Sequence, residues 1–469
     1  MVSELRVDEE SFVTSEYKSF LREKRIAVKP AGFGIDRDSI NGKLFEFQRD
    51  IVKWGCKKGK SAVFADCGLG KTPIQLEWAS QTVQETGCDV LIFAPLAVSQ
   101  QTIREGDKFG IPVNICRNQG DVKRGINITN YEMLEQFHPS GFAGVVLDES
   151  SILKGDGPLR KGITDFARTV PYRLACTATP APNDHMELGN HAEFLGIMSK
   201  TEMLSTFFVH DGGDTSKWRL KGHAEAAFWK WVASWAVMIR KPSDLGYSDE
   251  GFALPKIHYH QHTVSAEWSA DYLFPVEAKT MQERQQARRD SLVGRAKLTA
   301  ELVNGSKEQW LLWTNLNDEG EELAKLIPDC VRVVGNDSDK HKEQAPQDFI
   351  AGKIRVLESK PKILGWGMNF QNCAHAAAVG LSDSWEALYQ ITRRIWRFGQ
   401  TREVHMHLIC GELEGAVSRN VERKEQQSAQ MAAEMLGHMK TINTAEIHGT
   451  VREQETYKAK QDMELPVWL

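Results

Sequence analysis

The segment Ala65-Asp-Cys-Gly-Leu-Gly-Lys-Thr72 has the make-up of a loop that cradles phosphate. Gly68 and Gly70, on either side of Leu69, free the backbone to turn its N–H groups onto an anion. Lys71 adds a point charge, and Thr72 offers a hydroxyl to Mg²⁺. The run follows an apolar stretch, Ser61–Ala65, and precedes a helical pattern from Pro73 to Glu85. That is the strand–loop–helix context such a loop requires, and it argues against an ordinary glycine-rich turn. Pro73 loses nothing at the helix start, where its N–H would have no partner.

A second segment, Val145-Val-Leu-Asp148-Glu149-Ser-Ser151, delivers two acids from a short apolar run. Alone, such acids end many ordinary strands in solvent. Beside a phosphate loop they divide the work of hydrolysis. Asp148 holds Mg²⁺ through water, and Glu149 orients and deprotonates the attacking water. The expected cofactors are therefore ATP and Mg²⁺.

These segments need rigid elements beneath them. From Leu44 onward, Ser61–Ala65, Val90–Ala94, Ile126–Thr129, Val145–Leu147 and Arg173–Cys176 read as buried strands separated by helical stretches. Residues 200–250 are rich in tryptophan and read as helical. A second strand series follows at Trp310–Trp313, Val331–Val334, Ile354–Leu357, Ala376–Val379 and His405–Ile409. Such alternation predicts α/β architecture, two parallel-sheet domains in tandem. The expected division is an N-terminal extension at 1–40, a first domain at 41–198, a helical insertion or linker at 199–262, a second domain at 263–435 and a polar tail at 436–469.

Further segments bring a resemblance to one family. Leu44-Phe-Glu-Phe-Gln48 resembles an adenine-reading glutamine motif, and Cys176-Thr-Ala-Thr-Pro180 resembles the motif that couples hydrolysis to domain movement. Gln390-Ile-Thr-Arg-Arg394-Ile-Trp-Arg397-Phe-Gly-Gln400 is similar to the last motif of superfamily-two helicases, in particular the Swi/Snf branch of DNA translocases. Pro182–Leu195, Ile239-Arg240, Leu254-Pro255, Gly335–Phe349 and Gly365–Phe370 resemble other segments of that branch, so the likeness runs from about Leu44 to about Leu413. It implies two RecA-like domains and ATP-driven movement on nucleic acid, with duplex DNA the favoured partner. Three departures stand out. The acidic motif ends in Ser150-Ser151 where histidine is usual last, Trp396 stands where that branch commonly has histidine, and Trp385 is only five residues before Gln390. With a compact insertion, these point to a small bacterial or bacteriophage form.

Arg394 and Arg397, three apart, share one face of a helix. The resemblance assigns them, with Gln390, to a catalytic role across the cleft, neutralising charge on the γ-phosphoryl group. A basic helix on DNA phosphates is the alternative, weighed chiefly for Arg393 and Arg402. The resemblance also nominates Pro95, Thr129, Asn130, Thr314, Asn315, Ser359 and Lys360 as nucleic-acid contacts, although threonine and asparagine after strands are ordinary turn formers.

The totals fit a folded protein of more than one domain. The 469 residues are 41% hydrophobic and 26% charged, and 58 Lys+Arg against 63 Asp+Glu leave a net charge of −5. That excludes a globally basic nucleic-acid coat, so DNA contact must be local. Eight scattered cysteines without zinc or redox spacing, no membrane-length apolar run and an acidic start predict a soluble, monomeric, cytoplasmic protein. His258, His260 and His262 share one face of a strand, as metal ligands or more simply as solvated side chains. The tryptophans 229, 231 and 235 read as core, and the closing Leu465–Leu469 as a candidate docking segment for a protein partner. Strand separation, on DNA or RNA, and an ATP-dependent protein switch without translocation stand as alternative functions.

Overall fold

The computed structural model describes residues 28, 30–95, 98–155, 157–181, 184–211, 214–265, 286, 288–364, 368–380, 385–412 and 415–448. The closing Leu465–Leu469, most of the 1–40 extension and parts of two resembling segments, Pro182-Asn183 and residues 365–367, lie outside these residues. In the first half the strands are β1 (Lys60–Ala65), β2 (Asp89–Ala94), β3 (Val113–Ile115), β4 (Ile126–Asn130), β5 (Phe142–Asp148), β6 (Tyr172–Thr177), β7 (Phe208–Asp211), β8 (Asp214–Leu220) and β9 (Ala236–Ile239). Seven form a parallel sheet in the order β3-β4-β2-β5-β6-β1-β9. Its inner strands are covered on both faces, which is why they read as continuous apolar runs. Ala62 and Phe64 enter one core, and Val63 and Ala65 enter the other.

The second half adds β10 (Ile257–Val264), β11 (Trp310–Thr314), β12 (Cys330–Val333), β13 (Val356–Ser359), β14 (His375–Val379) and β15 (Val404–Gly411). They form a six-stranded sheet, β10-β15-β14-β11-β13-β12, again all parallel. The molecule is two RecA-like α/β domains in tandem. In the first, β6 lies between the strand that ends in the candidate phosphate loop and the strand that ends in the acidic pair.

Three boundaries differ from the sequence reading. The stretch 199–262 is not a purely helical insertion, because β7 and β8 pair as an antiparallel hairpin and β9 closes the edge of the first sheet beside β1. Trp229, Trp231 and Trp235 are buried in the same core as Phe64. Next, β10 belongs to the second sheet, so that domain's first strand begins at Ile257 and not after residue 262. Finally, residues 436–447 are not a polar tail but the end of one helix, Gly415–Ile447, which returns to the first domain. Met435 and Met439 enter a first-domain core, and buried Asn443 accepts a hydrogen bond from Met238 N (3.2 Å) and donates one to Ala236 O (3.0 Å). The four-residue spacing of that inward stripe was hidden by the polar residues around it.

The strand histidines are neither simply solvated nor separate. His260 Nε2 shares a hydrogen bond with His405 Nδ1, and His262 Nε2 with His407 Nδ1, both at 3.0 Å, while His258 Nε2 meets Glu403 at 3.0 Å. His375 stacks on His405, near Glu308 and Arg402, and Trp310 packs on His407. Burial, then the neighbouring imidazoles, pushes His407 down to about 3 and holds His262, His375 and His405 below the ordinary histidine value. The folded protein therefore keeps neutral rings that the unfolded chain protonates near pH 6.5. Stability from this cluster is present above that pH and is lost as the pH falls below it. For His407 alone the loss by about pH 5 is about 1–2 kcal/mol. The urea midpoint is expected to drop on acidification from neutral pH, and His407→Gln to shrink the drop. Equal drops in both proteins would contradict the assignment.

Candidate active site

The candidate phosphate loop leaves β1 and enters the helix Lys71–Thr86. Gly68 and Gly70 have φ of 90° and 78°, the left-handed region where glycine is favoured. Space demands glycine as well. A Cβ on Gly70 would lie 2.2 Å from Gln48 Nε2, and one on Gly68 would lie 2.9 Å from Phe398 N of the second domain. Lys71 Nζ donates to Ala65 O at 3.1 Å. Burial works against its ammonium, but Cys67, Glu149, Asp148 and Asp66 outweigh burial and hold its pKa above the ordinary lysine value.

Gln48 is buried, and both ends of its amide are engaged. Nε2 donates to Leu69 O (2.9 Å), and Oε1 accepts from Phe45 N (3.0 Å). This glutamine staples the candidate phosphate loop to the helix Glu46–Lys58 through one N–H and one lone pair of its amide, and it also lines the cleft in which the adenine-reading role was expected. Leu69 turns its side chain into the core.

Asp148 ends β5. Its Oδ1 accepts from Gln75 Nε2 at 2.7 Å and from Glu149 N at 3.1 Å. Burial pushes the carboxyl up, against the Gln75 hydrogen bond and the cations Lys71 and Arg394. Glu149 is the one non-glycine residue with positive φ among the described residues, at 55°. Such a backbone costs about 1–2 kcal/mol and persists only where its surroundings hold it. Here they do. Tyr131 Oη donates to Asp148 O (2.6 Å), Ser150 Oγ meets His191 Nε2 (3.1 Å), and Asn190 Nδ2 donates to Leu153 O (2.8 Å). Asn190 and His191 come from the helix Leu188–Leu195, just after the Cys176–Pro180 motif. Sequence reading missed Tyr131, Gln75 and His191. The one trace was the absent histidine at Ser151, and a histidine does reach this turn, from a helix forty residues on.

The second domain closes the site with the helix Trp385–Ile395 and the turn after it. Arg394 donates to Gln390 Oε1 (3.0 Å), Gln390 O (3.3 Å) and Met368 O (3.3 Å), and Arg397 donates to Asn369 Oδ1. Both guanidinia thus rest on neutral oxygens. Burial, then repulsion from Arg394, lowers the Arg397 pKa to about 10. One cleft is lined by Gln48, Gly68, Gly70, Lys71, Thr72, Asp148 and Glu149 from the first domain and by Asn369, Arg394 and Arg397 from the second. Lys71, Arg394 and Arg397 with Asp148, Glu149 and the Thr72 hydroxyl, beside a glycine cradle, fit a nucleoside triphosphate with a divalent cation. Lys71, Arg394 and Arg397 would take the phosphates, and Thr72 and Asp148 the metal.

The proposed nucleic-acid contacts all lie at or just after the carboxyl ends of strands, but several are closed off. Thr129, Thr314 and Ser359 are only 1–2% exposed. Thr314 Oγ1 donates to Glu358 (2.5 Å), and Ser359 Oγ donates to Val333 O (2.7 Å). These hydroxyls serve the second domain's interior and not a phosphate backbone, which corrects the expectation for them. Asn315 is half-buried, with its amide on Gly380 O. Pro95, Asn130 and Lys360 are half-buried. Arg393 is buried between the domains, and Arg402 pairs with Glu308 on the surface.

Fold and site together define a two-domain α/β protein whose candidate phosphate loop faces arginines of the second domain. No family model matches the chain, and no curated protein matches it. Among solved structures, the chain is similar to a Sulfolobus solfataricus SWI2/SNF2 ATPase core in complex with dsDNA. The identity is 16% and the TM-score 0.40, over 88% of this chain and 98% of that one.

Proposed function

We propose that this chain is an ATP-hydrolysing enzyme of the Swi/Snf type that couples turnover in the interdomain cleft to movement along duplex DNA. The observation that carries the ATPase reading is the convergence of Lys71, Thr72, Asp148 and Glu149 with Arg394 and Arg397 around one cavity. Bound Mg²⁺ would supply charge neutralisation on the phosphates. The chain's own groups do the rest: Lys71 and the loop amides bind and orient the phosphates, Glu149 receives the proton of the attacking water, and the arginines meet the charge that develops in transfer. Because the site is shared between domains, binding and release of nucleotide change how firmly the domains are held together. That is the mechanical element a motor needs. The order of motifs along the sequence supports DNA as the track, and a net charge of −5 suits a protein that must let go of DNA each cycle.

The test is the rate of ATP hydrolysis with no nucleic acid, single-stranded DNA, duplex DNA and RNA, each at low and high salt. Duplex DNA is expected to stimulate most, with stimulation falling as salt rises. A rate indifferent to every nucleic acid would overturn the motor reading and favour a protein switch. Strand displacement alongside stimulation would favour a helicase.

A further inference from the structure

Arg393 is an arginine that the two-arginine pattern of this motif does not require, and Asp66 is the second residue of the candidate phosphate loop. They meet across the interdomain boundary. Arg393 Nη2 donates to Asp66 Oδ2 at 2.9 Å, and Tyr389 Oη donates to Asp66 Oδ1 at 2.5 Å. The same Oδ1 accepts from Cys67 N at 2.7 Å, so the carboxylate also shapes the turn into the loop. The side chains are 8% and 15% exposed, which makes this a nearly buried ion pair. The Arg393 guanidinium is held between two rings, 4.4 Å from the Trp396 centroid and 5.2 Å from that of Tyr389. Trp396 in turn donates from Nε1 to Pro255 O in the interdomain connection, at 2.7 Å. Two oddities of the sequence, the additional arginine and a tryptophan at 396, therefore belong to one arrangement.

We propose that Asp66, Arg393, Tyr389 and Trp396 form a clasp that seats the helix Trp385–Ile395 on the phosphate loop, and that Arg393 is thereby a positioning residue for Arg394 and Arg397. An ion pair this buried is costly unless both partners are present, so it acts as a two-state contact and not a graded one. Its stacked guanidinium is ordered before the domains meet, which lowers the entropy lost on docking. Arg394 is the next residue and Arg397 lies just past the helix end, so seating this one turn sets both. The clasp rests on contacts between protein groups alone; its effect on turnover rests on the ATPase reading above.

Spin labels on exposed Glu85 of the first domain and exposed Lys340 of the second report the interdomain distance whether or not ATP is hydrolysed. The unaltered protein is expected to give one narrow distance population. Asp66→Asn and Arg393→Met should each broaden and lengthen it, and the double variant should go no further than either single one, because all three lose the same bond. Arg393→Lys keeps charge without the planar stack and should fall between. In phosphate release, Arg393→Met should lower kcat by roughly 10- to 100-fold, the scale on which a misplaced catalytic group acts, with KM little changed. An unaltered distance in the single variants, or additive effects in the double variant, would overturn the clasp. Opened domains with full kcat would overturn the positioning role. An unaltered protein that does not hydrolyse ATP would sink the ATPase reading and leave the distances to decide the clasp.

Discussion

Glu149→Gln is expected to lower ATP turnover by about 10³-fold or more while leaving nucleotide affinity within a few-fold. A positioned general base is worth about 10²–10⁴ in rate, and glutamine keeps the side chain's size while removing its ability to take a proton. The backbone strengthens the argument. At φ 55° this residue sits where most side chains are disfavoured, in a turn fixed by Tyr131, Ser150 with His191, and Asn190. None of these contacts uses the Glu149 carboxylate, so the turn survives substitution of that head group and the variant should fold and bind as before. Single-turnover phosphate release and titration of a fluorescent nucleotide separate the two effects. Hydrolysis at the parent rate would show that the base is elsewhere. A loss confined to affinity would mean that the carboxylate binds rather than reacts.

The two motifs that line the cleft from the first domain could be located directly because each is local. A strand end, a few residues in order and a helix start are all consecutive, so spacing alone fixes geometry. Lys71 and Thr72 on one loop and Asp148 and Glu149 on another needed only the parallel sheet to bring them together, and the alternation of apolar runs announced that sheet. What escaped notice is pairwise and distant. Nothing near Gln48 indicates that its amide will bond Leu69, and nothing near Ser150 indicates His191. Asp66 and Arg393 are 327 positions apart. Thr314 and Ser359 failed as DNA contacts for a related reason. A hydroxyl at a strand's carboxyl end looks the same in sequence whether it faces solvent or a buried carboxylate such as Glu358, and only the fold decides.

The misread elements have their own physical causes. β9 is four residues long, buried throughout and preceded by the Trp229–Trp235 run, so its apolar stretch continues what looks like a helix. Short apolar runs do not distinguish the two states. β10 alternates histidine with Tyr259, Gln261 and Thr263, which is a plain strand pattern. Its membership in the second sheet depends on pairing with β15, a partner about 145 residues away.

Arg397→Ala is expected to lower kcat by about 10³-fold or more, within the range of about 10³–10⁵ that such arginines contribute to phosphoryl transfer, with KM changed far less. The two arginines of this motif are not equivalent. Arg394 is tied to Gln390 and Met368 by three hydrogen bonds, so its removal would loosen the helix as well as the charge. Arg397 meets Asn369 and lines the cleft with Lys71 and Glu149, and its charge is held against burial and against Arg394. A cation in that condition gains most when negative charge grows on a phosphoryl oxygen beside it. The gain is larger at the transition state than with bound substrate, which is the condition for a kcat effect. Arg397→Lys should restore little, because a point charge on a flexible stem does not reproduce the planar fork that Asn369 aligns. Steady-state kinetics on both variants, with nucleotide affinity measured separately, test the argument. If Arg397→Ala weakens binding and leaves kcat intact, Arg397 is a ground-state clamp, and the charge that develops in transfer is met by other groups of the cleft.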